Sequence, residues 1–230
     1  TRMEPYHARN LDRRTQSLLD EIEAGKVVAL VSDAGTPGIS DPGAHLVDEA
    51  LGRGISVEVL PGPSAIITAL VASGLPTHAF YFGGFLPRKA GDIRKRLKAL
   101  ETLEATLVFY ESPRRTAATA ALLAEAWPNR RAAMARELTK VHEEVLRGTA
   151  THLAQNLLDR ELKGEVVLLV GPPVPGEGHT GEASIESALT EVEASVSSGM
   201  SLKDAVAACA ASHGVRRKDL YEAALKKRGR

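Results

Sequence analysis

A single cysteine, Cys209, stands among 230 residues. No disulfide can therefore close within the chain, and no multi-cysteine metal site can form. Cys209 falls on the apolar face of a predicted helix, which makes it a core thiol rather than a nucleophile. Net charge is lacking as well: 29 Lys and Arg balance 29 Asp and Glu, so the strong overall field of a basic nucleic-acid binder is excluded. No stretch approaches the roughly 18 continuous apolar residues that a membrane span requires, and no secretory leader is visible. The expected setting is the cytoplasm, with no membrane partner. His7, His45, His78, His142, His152, His179 and His213 show no metal-ligand spacing, and no metal is expected. No G-x-G-x-x-G occurs. Gly38 and Gly43 have the glycine spacing of a phosphate-binding loop, but Ala44-His45 stand where Lys and Ser/Thr are needed. The standard ATP and NAD geometries are thereby excluded.

What is present is a 43% hydrophobic chain, able to bury two modest cores or one large one. Its charge is unevenly spread. Arg88 to Lys98 carries six basic residues against one acid, and Ser201 to Arg230 eight against three. Such local stripes bind phosphates even when the total is zero, or serve as solvated helix faces.

The first half alternates strand and helix. Val27–Ser32 and Ile55–Leu60 read as near-continuously apolar strands, as parallel strands covered on both faces should be. Asp41 with Pro42 starts a helix that Gly52 ends. The helix Ser64–Ser73 is apolar nearly all round, which predicts burial. Gly83-Gly84-Phe85-Leu86-Pro87-Arg88 reads as a hinge, followed by a basic helix over about 89–103. The strand Ala105–Tyr110 comes next, then a helix started by Ser112-Pro113. Strands at Arg131–Glu137, Glu144–Gly148 and Glu165–Val170 predict a mixed sheet, because adjacent strands without a helix between them favour antiparallel pairing. Trp127 reads as a core residue at a helix end. The Gly- and Pro-rich stretch 171–181 is a linker, and the remainder is helical: Ile185 to Val196, a second helix opened by Ser201 and Asp204, and a third over 216–226 after Gly214. Helix, glycine turn, helix is a helix-turn-helix outline. The expected organisation is a first lobe over 1–84, a second over 85–173, a linker over 174–183 and a helical domain over 184–230.

Two turns carry the chemistry. Ser32 to Gly43 (Ser-Asp-Ala-Gly-Thr-Pro-Gly-Ile-Ser-Asp-Pro-Gly) follows the first predicted strand, and Leu60-Pro61-Gly62-Pro63-Ser64-Ala65 follows the second. Bare backbone after a strand is where open α/β folds take ligands. Adjacent turns of this kind suit a small molecule with polar and anionic parts, and the chain reads as an enzyme. These turns resemble those of the tetrapyrrole methylase superfamily. Phe109-Tyr110-Glu111-Ser112-Pro113-Arg114-Arg115, Arg136-Glu137-Leu138-Thr139-Lys140 and Lys163-Gly164-Glu165-Val166 narrow the resemblance to the ribosomal RNA small subunit methyltransferase I family. It runs from about Tyr6 to Pro172, with helices beyond.

The resemblance implies an α/β fold of two lobes, the first mostly parallel and the second mixed, with a small carboxyl-terminal helical domain. It implies S-adenosylmethionine as methyl donor, the ribose 2′-hydroxyl of a cytidine in the 16S RNA decoding centre of the small ribosomal subunit as acceptor, and a homodimer. The donor-binding residues it implies are Asp33, Gly35, Thr36, Ile39, Ser64 and Ala65, with Tyr110, Leu138, Glu165 and Val166 from the second lobe. Helix-start N–H groups at Ser64-Ala65 favour an anion. The hydroxyl must lose a proton, for which Glu111, Glu137 and His142 are candidate bases. Each of them also suits a structural ion pair. Arg114 and Arg115 fall near a helix start, where cations are disfavoured unless an anion offsets them; RNA phosphate is the expected partner there and at Arg216, Arg217 and Lys218. The family pattern also has a strand, a Pro-Gly-Asn loop and an Asp-Thr-Arg segment ahead of Tyr6, absent here, so the sequence is expected to be incomplete at its amino end. Two other readings stay open: methylation of a corrinoid precursor, and a non-catalytic RNA-binding protein on the same fold.

Overall fold

The computed structural model describes residues 3–32, 35–173, 182–213, 215 and 217–228. The chain divides into two compact units, Thr1–Thr68 and Ala69–Arg230.

In the first unit, α1 (Leu11–Glu23) and α2 (Gly43–Gly52) pack through Leu19, Leu46 and Ala50. The sequence starts α2 as expected, through the Asp41 carboxylate. Its Oδ1 accepts the Gly43 N–H at 2.7 Å, one of the donors that a helix start leaves open, and the Gly38 N–H of the preceding turn at 3.2 Å. A third helix, α3 (Ala65–Ser73), begins here and ends in the second unit.

The two strands expected in this unit are not found: among its described residues no hydrogen-bonded ladder forms. Leu30, Ile55 and Val57 pack on the α1–α2 core, whereas Val27, Val31, Val59 and Leu60 are 98, 70, 77 and 75% exposed. The apolar runs are therefore covered on one side only. A parallel strand has no local partner, and its pairing must come from another strand brought alongside by a crossover. The helix α3 is also less buried than its composition predicts: Ile66, Ala69 and Leu70 are buried, while Val71 is 69% exposed.

The second unit holds a five-stranded mixed sheet. Its strands are β1 (Phe80–Phe85), β2 (Thr106–Glu111), β3 (Arg131–Arg136), β4 (Glu144–Thr149) and β5 (Val166–Val170), in the order β1-β2-β5-β3-β4. The β1–β2 pair is parallel and every other pair antiparallel, the mixed arrangement that the helix-free spacing predicts. Continuous burial of Val166 to Val170 fits a strand with a neighbour on each edge. Helices α4 (Ala90–Ala99), α5 (Thr116–Ala126) and α6 (Ala150–Leu157) complete its core with Ile93, Leu97, Leu123, Trp127 and Leu153. At its other end α3 is tied down within this unit: Arg131 Nη2 donates to Gly74 O at 2.9 Å, and Arg147 Nε to Ala72 O at 2.9 Å. Cations at a helix carboxyl end are favourable.

The expected hinge is instead part of β1. Gly83 and Gly84 lie within the strand, at the point where the register slips between Phe82 and Phe85. Gly84 sits at φ 63°, a value that glycine adopts without cost. A Cβ on Gly83 would overlap the ring of the fully buried Phe109. These glycines thus serve strand packing and a bulge rather than flexibility between lobes.

The carboxyl-terminal helices α7 (Glu182–Ser197), α8 (Leu202–Ser212) and α9 (Arg217–Arg228) share a core of Ala188, Val192, Ala205, Val206, Cys209 and Leu220. Ser201 caps α8 as expected, with Asp204 as its side-chain partner. Ser201 Oγ accepts the Asp204 N–H at 3.2 Å and donates to Asp204 Oδ2 at 2.6 Å. Cys209 is 2% exposed, and burial pushes its thiol pKa up. Most of the expected linker, and Gly214, lie outside the described residues. No described helix is long and apolar enough to cross a membrane.

Gly83→Ala should destabilise the second unit by about 1–3 kcal/mol through overpacking, lowering the melting temperature by several degrees. Gly91→Ala, in α4 with open space at its Cβ, should leave the melting temperature unchanged or raise it. Equal melting of Gly83→Ala and the wild type by calorimetry would refute the packing role.

Candidate active site

The first unit presents the two Gly- and Pro-rich turns. Thr36 Oγ1 donates to Pro63 O at 3.1 Å, which brings the turns together. Gly35, Gly38 and Ser40 hold left-handed backbone at φ 72, 83 and 56°. A Cβ placed on Gly43 would stand 2.6 Å from Leu30 Cδ2 and 2.7 Å from Asp41 Oδ1, so only glycine fits where the turn enters α2. Nothing lies within 4 Å of a Cβ built on Gly35 or Gly62, leaving their backbone bare. Ile39 is 46% exposed. Ser64 caps α3, its Oγ accepting from Ile67 N at 3.5 Å, and Ala65 begins that helix. Asp33 lies outside the described residues.

In the second unit the strand register gathers Tyr110, Leu138, Glu165 and Val166 at one end of the sheet. Tyr110 pairs with Val167 and Glu111 with Val166 across β2–β5, and Arg136 pairs with Val166 across β3–β5. Leu138 follows the end of β3, and Glu165 precedes β5. Burial first, and then the Glu165 carboxylate, push the Tyr110 phenol pKa up.

The loop after β3 is locked to the segment before β5. Glu137 N donates to Glu165 O at 3.0 Å, and Glu137 Oε1 accepts from Glu165 N at 2.9 Å. Lys140 Nζ reaches Glu137 Oε1 at 2.9 Å and Glu165 Oε2 at 3.2 Å. Both Glu137 and Thr139 hold left-handed backbone, at φ 50 and 65°, an unfavourable state for such residues. Gly164, at φ 88°, has no room for a Cβ because the Glu137 side chain fills the space. Lys163-Gly164-Glu165 and Arg136-Glu137-Leu138-Thr139-Lys140 are thus two halves of one structural device.

Glu137, a candidate base, is therefore held by internal partners. Glu111 is as well. Its side chain is fully buried, with Oε1 accepting from Ser112 N at 2.7 Å and Oε2 accepting from Thr119 Oγ1 at 2.7 Å. Arg115 Nη2 stands 3.2 Å from Oε2 and also donates to Leu86 O at 3.2 Å and Pro87 O at 2.5 Å. An acid and two carbonyls thus offset the Arg115 charge at the helix start, where RNA phosphate was the expected partner. Helix α5 starts at Thr116, with Arg115 at the cap position. Arg114 is exposed and has no partner among the described residues. Arg217 and Lys218 are exposed in the first turn of α9 beside Asp219; Arg216 lies outside the described residues. His142 is exposed on the loop after β3. Among the described residues no cluster of His, Cys, Asp and Glu has the make-up of a metal site.

Sequence reasoning missed Thr119 as the partner of Glu111, eight residues away across a strand end and a helix start. It also missed Arg131 and Arg147 at the end of α3. No short-range signal announces either. A recess of about 360 Å³ lies beside Ser73, Leu75, Arg131 and Arg147. It holds none of the candidate residues, and its arginines are committed to α3 carbonyls.

The Glu165 N–H first, and then Lys140, hold the Glu137 carboxyl below its ordinary value of 4.5. A depressed folded pKa gives stability that is complete above the unfolded value and is lost as pH falls through the folded one. Exchange protection of the Glu165 amide, corrected for intrinsic rates, should therefore be level near neutrality and fall in acid below pH 4.5. Glu137→Gln should flatten this dependence. An unchanged acid profile in that variant would refute the lock.

A family model described as tetrapyrrole (corrin/porphyrin) methylases matches residues 1–154. A second, described as the RsmI C-terminal HTH domain, matches residues 183–228. The chain is 46% identical over 217 residues to the ribosomal RNA small subunit methyltransferase I of Mycobacterium tuberculosis (strain ATCC 25618 / H37Rv), covering 94% of this chain and 74% of that protein. It is 40% identical to the protein of the same name from Halalkalibacterium halodurans, over 96% of this chain and 77% of that one. Among solved structures, the methyltransferase CobJ aligns with a TM-score of 0.52 at 24% identity over 71% of each chain. A diphthine synthase aligns with a TM-score of 0.55 at 16% identity, over 72% of this chain and 68% of that one. At these identities the structural likeness speaks for the fold alone. The chain belongs to the tetrapyrrole methylase family and, within it, to the ribosomal RNA small subunit methyltransferase I family.

Proposed function

We propose that this chain transfers the methyl group of S-adenosylmethionine to the ribose 2′-hydroxyl of a cytidine in the 16S RNA decoding centre of the small ribosomal subunit, as a cytoplasmic homodimer. The observation that carries the reading is the gathering of Tyr110, Leu138, Glu165 and Val166 at one sheet end, in a chain similar over nearly all its length to methyltransferases named for small-subunit RNA.

The residues fit the donor. Its carboxylate suits the start of α3 at Ser64 and Ala65, where the helix dipole favours an anion. Bare backbone at Gly35 and Gly62 suits polar groups that side chains would block. Tyr110 and Leu138, both half-buried, offer apolar surface with one phenol, and Glu165 a carboxylate compatible with a cationic centre. Val166 is buried and would act through its backbone. When bound, the donor supplies an electrophilic methyl group. The locked loop 137–140 keeps Leu138 and Glu165 in fixed relation, which matters because a misplacement of about 1 Å can cost about 10²-fold in rate. With Glu111 and Glu137 committed to internal partners, His142 is the remaining candidate to accept the ribose proton. Arg114, Arg217 and Lys218 are the exposed cations for RNA phosphates.

Tritiated methyl from S-adenosylmethionine should appear on the RNA of small subunits lacking the modification, at a cytidine 2′-oxygen. Label on a corrinoid precursor and none on RNA would overturn the reading. Donor binding without any transfer would point to a non-catalytic RNA-binding protein. His142→Ala should lower kcat by about 10²-fold or more, within the usual range for losing a general base, with donor affinity unchanged. Full activity in that variant would remove His142 from the mechanism.

A further inference from the structure

The bulge at Gly83-Gly84 has a specific effect on one side chain. Phe82 pairs with Val108, and Phe85 with Tyr110: three steps along β1 against two along β2. In an unbroken ladder Phe85 would stand opposite Glu111. The extra residue, accommodated by Gly84 at φ 63°, instead sets Phe85 opposite Tyr110. Bulges re-aim side chains in this way, often beside functional sites. The rings of Phe85 and Tyr110 lie 5.6 Å apart, tilted at 55°, and Phe82 meets Tyr110 edge-on at 4.9 Å. Tyr110 is half-buried, but Phe85 is 59% exposed, so the cluster leaves part of an aromatic ring open to solvent.

Exposed cations lie close to this ring along the chain and at the neighbouring strand end. Arg88 and Lys89 follow Phe85 after Leu86 and Pro87, and Arg114 comes three residues after Glu111, the last residue of β2, which is parallel to β1. Arg115 holds the Leu86 and Pro87 carbonyls at 3.2 and 2.5 Å, which keeps the start of α5 beside the exit of β1. Two cations of α4 are committed: Arg94 to Glu125 at 2.8 Å and Arg96 to the Tyr81 hydroxyl. Arg88, Lys89 and Arg114 have no partner among the described residues. Of the nearby acids, Glu111 is buried and matched by Arg115, and Asp92 lies in the first turn of α4.

We infer that Phe85 is a stacking platform for an unpaired base of the RNA substrate, with Arg88, Lys89 and Arg114 holding the flanking phosphates. An open aromatic face beside unpaired cations is the combination by which proteins hold single-stranded nucleic acid. It also suits a substrate whose ribose must be reached outside a regular duplex. The inference rests on the ribosomal RNA reading above and adds to it a site for the base.

The test uses the full-length protein with unmodified small subunits and with a short cytidine-containing RNA. Phe85→Ala should weaken RNA binding roughly 5- to 100-fold, the range for loss of one stacked base, with S-adenosylmethionine affinity unchanged by calorimetry. Phe85→Trp should restore RNA binding. Arg88→Gln and Lys89→Gln should each lower the salt dependence of binding by about one counterion. Wild-type RNA affinity in Phe85→Ala would overturn the platform. So would an equal loss of donor affinity, which would place the donor's adenine on the ring instead. If the wild-type protein bound no RNA while still binding donor, the ribosomal RNA reading itself would fail, and the platform with it.

Discussion

The buried carboxylate of Glu111 organises the working end of the sheet. A charge removed from water is tolerated only when donors surround it. Here they are the Ser112 amide, the Thr119 hydroxyl and the Arg115 guanidinium. One lies in the turn after β2, one at the cap position of α5 and one in its first turn, so meeting the needs of one carboxylate fixes the whole passage from strand to helix. Arg115 carries the constraint onward to the carbonyls of Leu86 and Pro87. The ends of two parallel strands and the start of a helix are thereby joined through a single side chain. Tyr110, Phe85 and Arg114 take their places from that junction.

A second constraint lies across the sheet, where unfavourable backbone is held by hydrogen bonds. Glu137 and Thr139 adopt φ values that cost free energy for residues bearing a Cβ. The costs are offset by the reciprocal bonds between Glu137 and Glu165 and by Lys140 between their carboxylates. Rigidity at this end comes from polar groups, whereas the middle of the sheet relies on Leu107, Phe109, Met134 and Leu168, all fully buried. The same division separates the cations. Arg115, Arg131, Arg136 and Arg147 hold carboxylates or backbone carbonyls, while Arg88, Lys89 and Arg114 hold none among the described residues.

Much of this was legible in the sequence, and what was not has physical reasons. The antiparallel half of the sheet could be read from strands spaced too closely for crossover helices. The capping residues Asp41 and Ser201 could be read because a cap acts within three residues of itself. The strands expected at Val27–Ser32 and Ile55–Leu60 could not be verified locally, since a parallel strand exists only through a distant neighbour. The glycines at 83 and 84 suggested a hinge because composition alone cannot distinguish flexibility from a close approach to Phe109. For the candidate site, motif order singled out Tyr110, Leu138, Glu165 and Val166, which the strand register brings to one sheet end. The roles of Glu111 and Glu137 were hidden, because a carboxylate in a sequence does not disclose whether its partners are internal. Phe85 went unnoticed for a related reason: its orientation follows from a register slip that no spacing rule reveals.

The sheet order has a consequence for how the protein is made. The strand Val166–Val170 lies between β2 and β3, yet it is the last of the five to be synthesised. Before it emerges, β1–β2 and β3–β4 are two separate pairs, each with an apolar edge awaiting the same missing strand. At about 5–20 residues/s, the interval between completing β2 and completing β5 is on the order of 3–12 s. During that time the nascent chain exposes open strand edges of the kind that invite mispairing. Closure of the second unit is therefore a late, long-range event, and slow refolding with a tendency to aggregate is the behaviour such a topology entails.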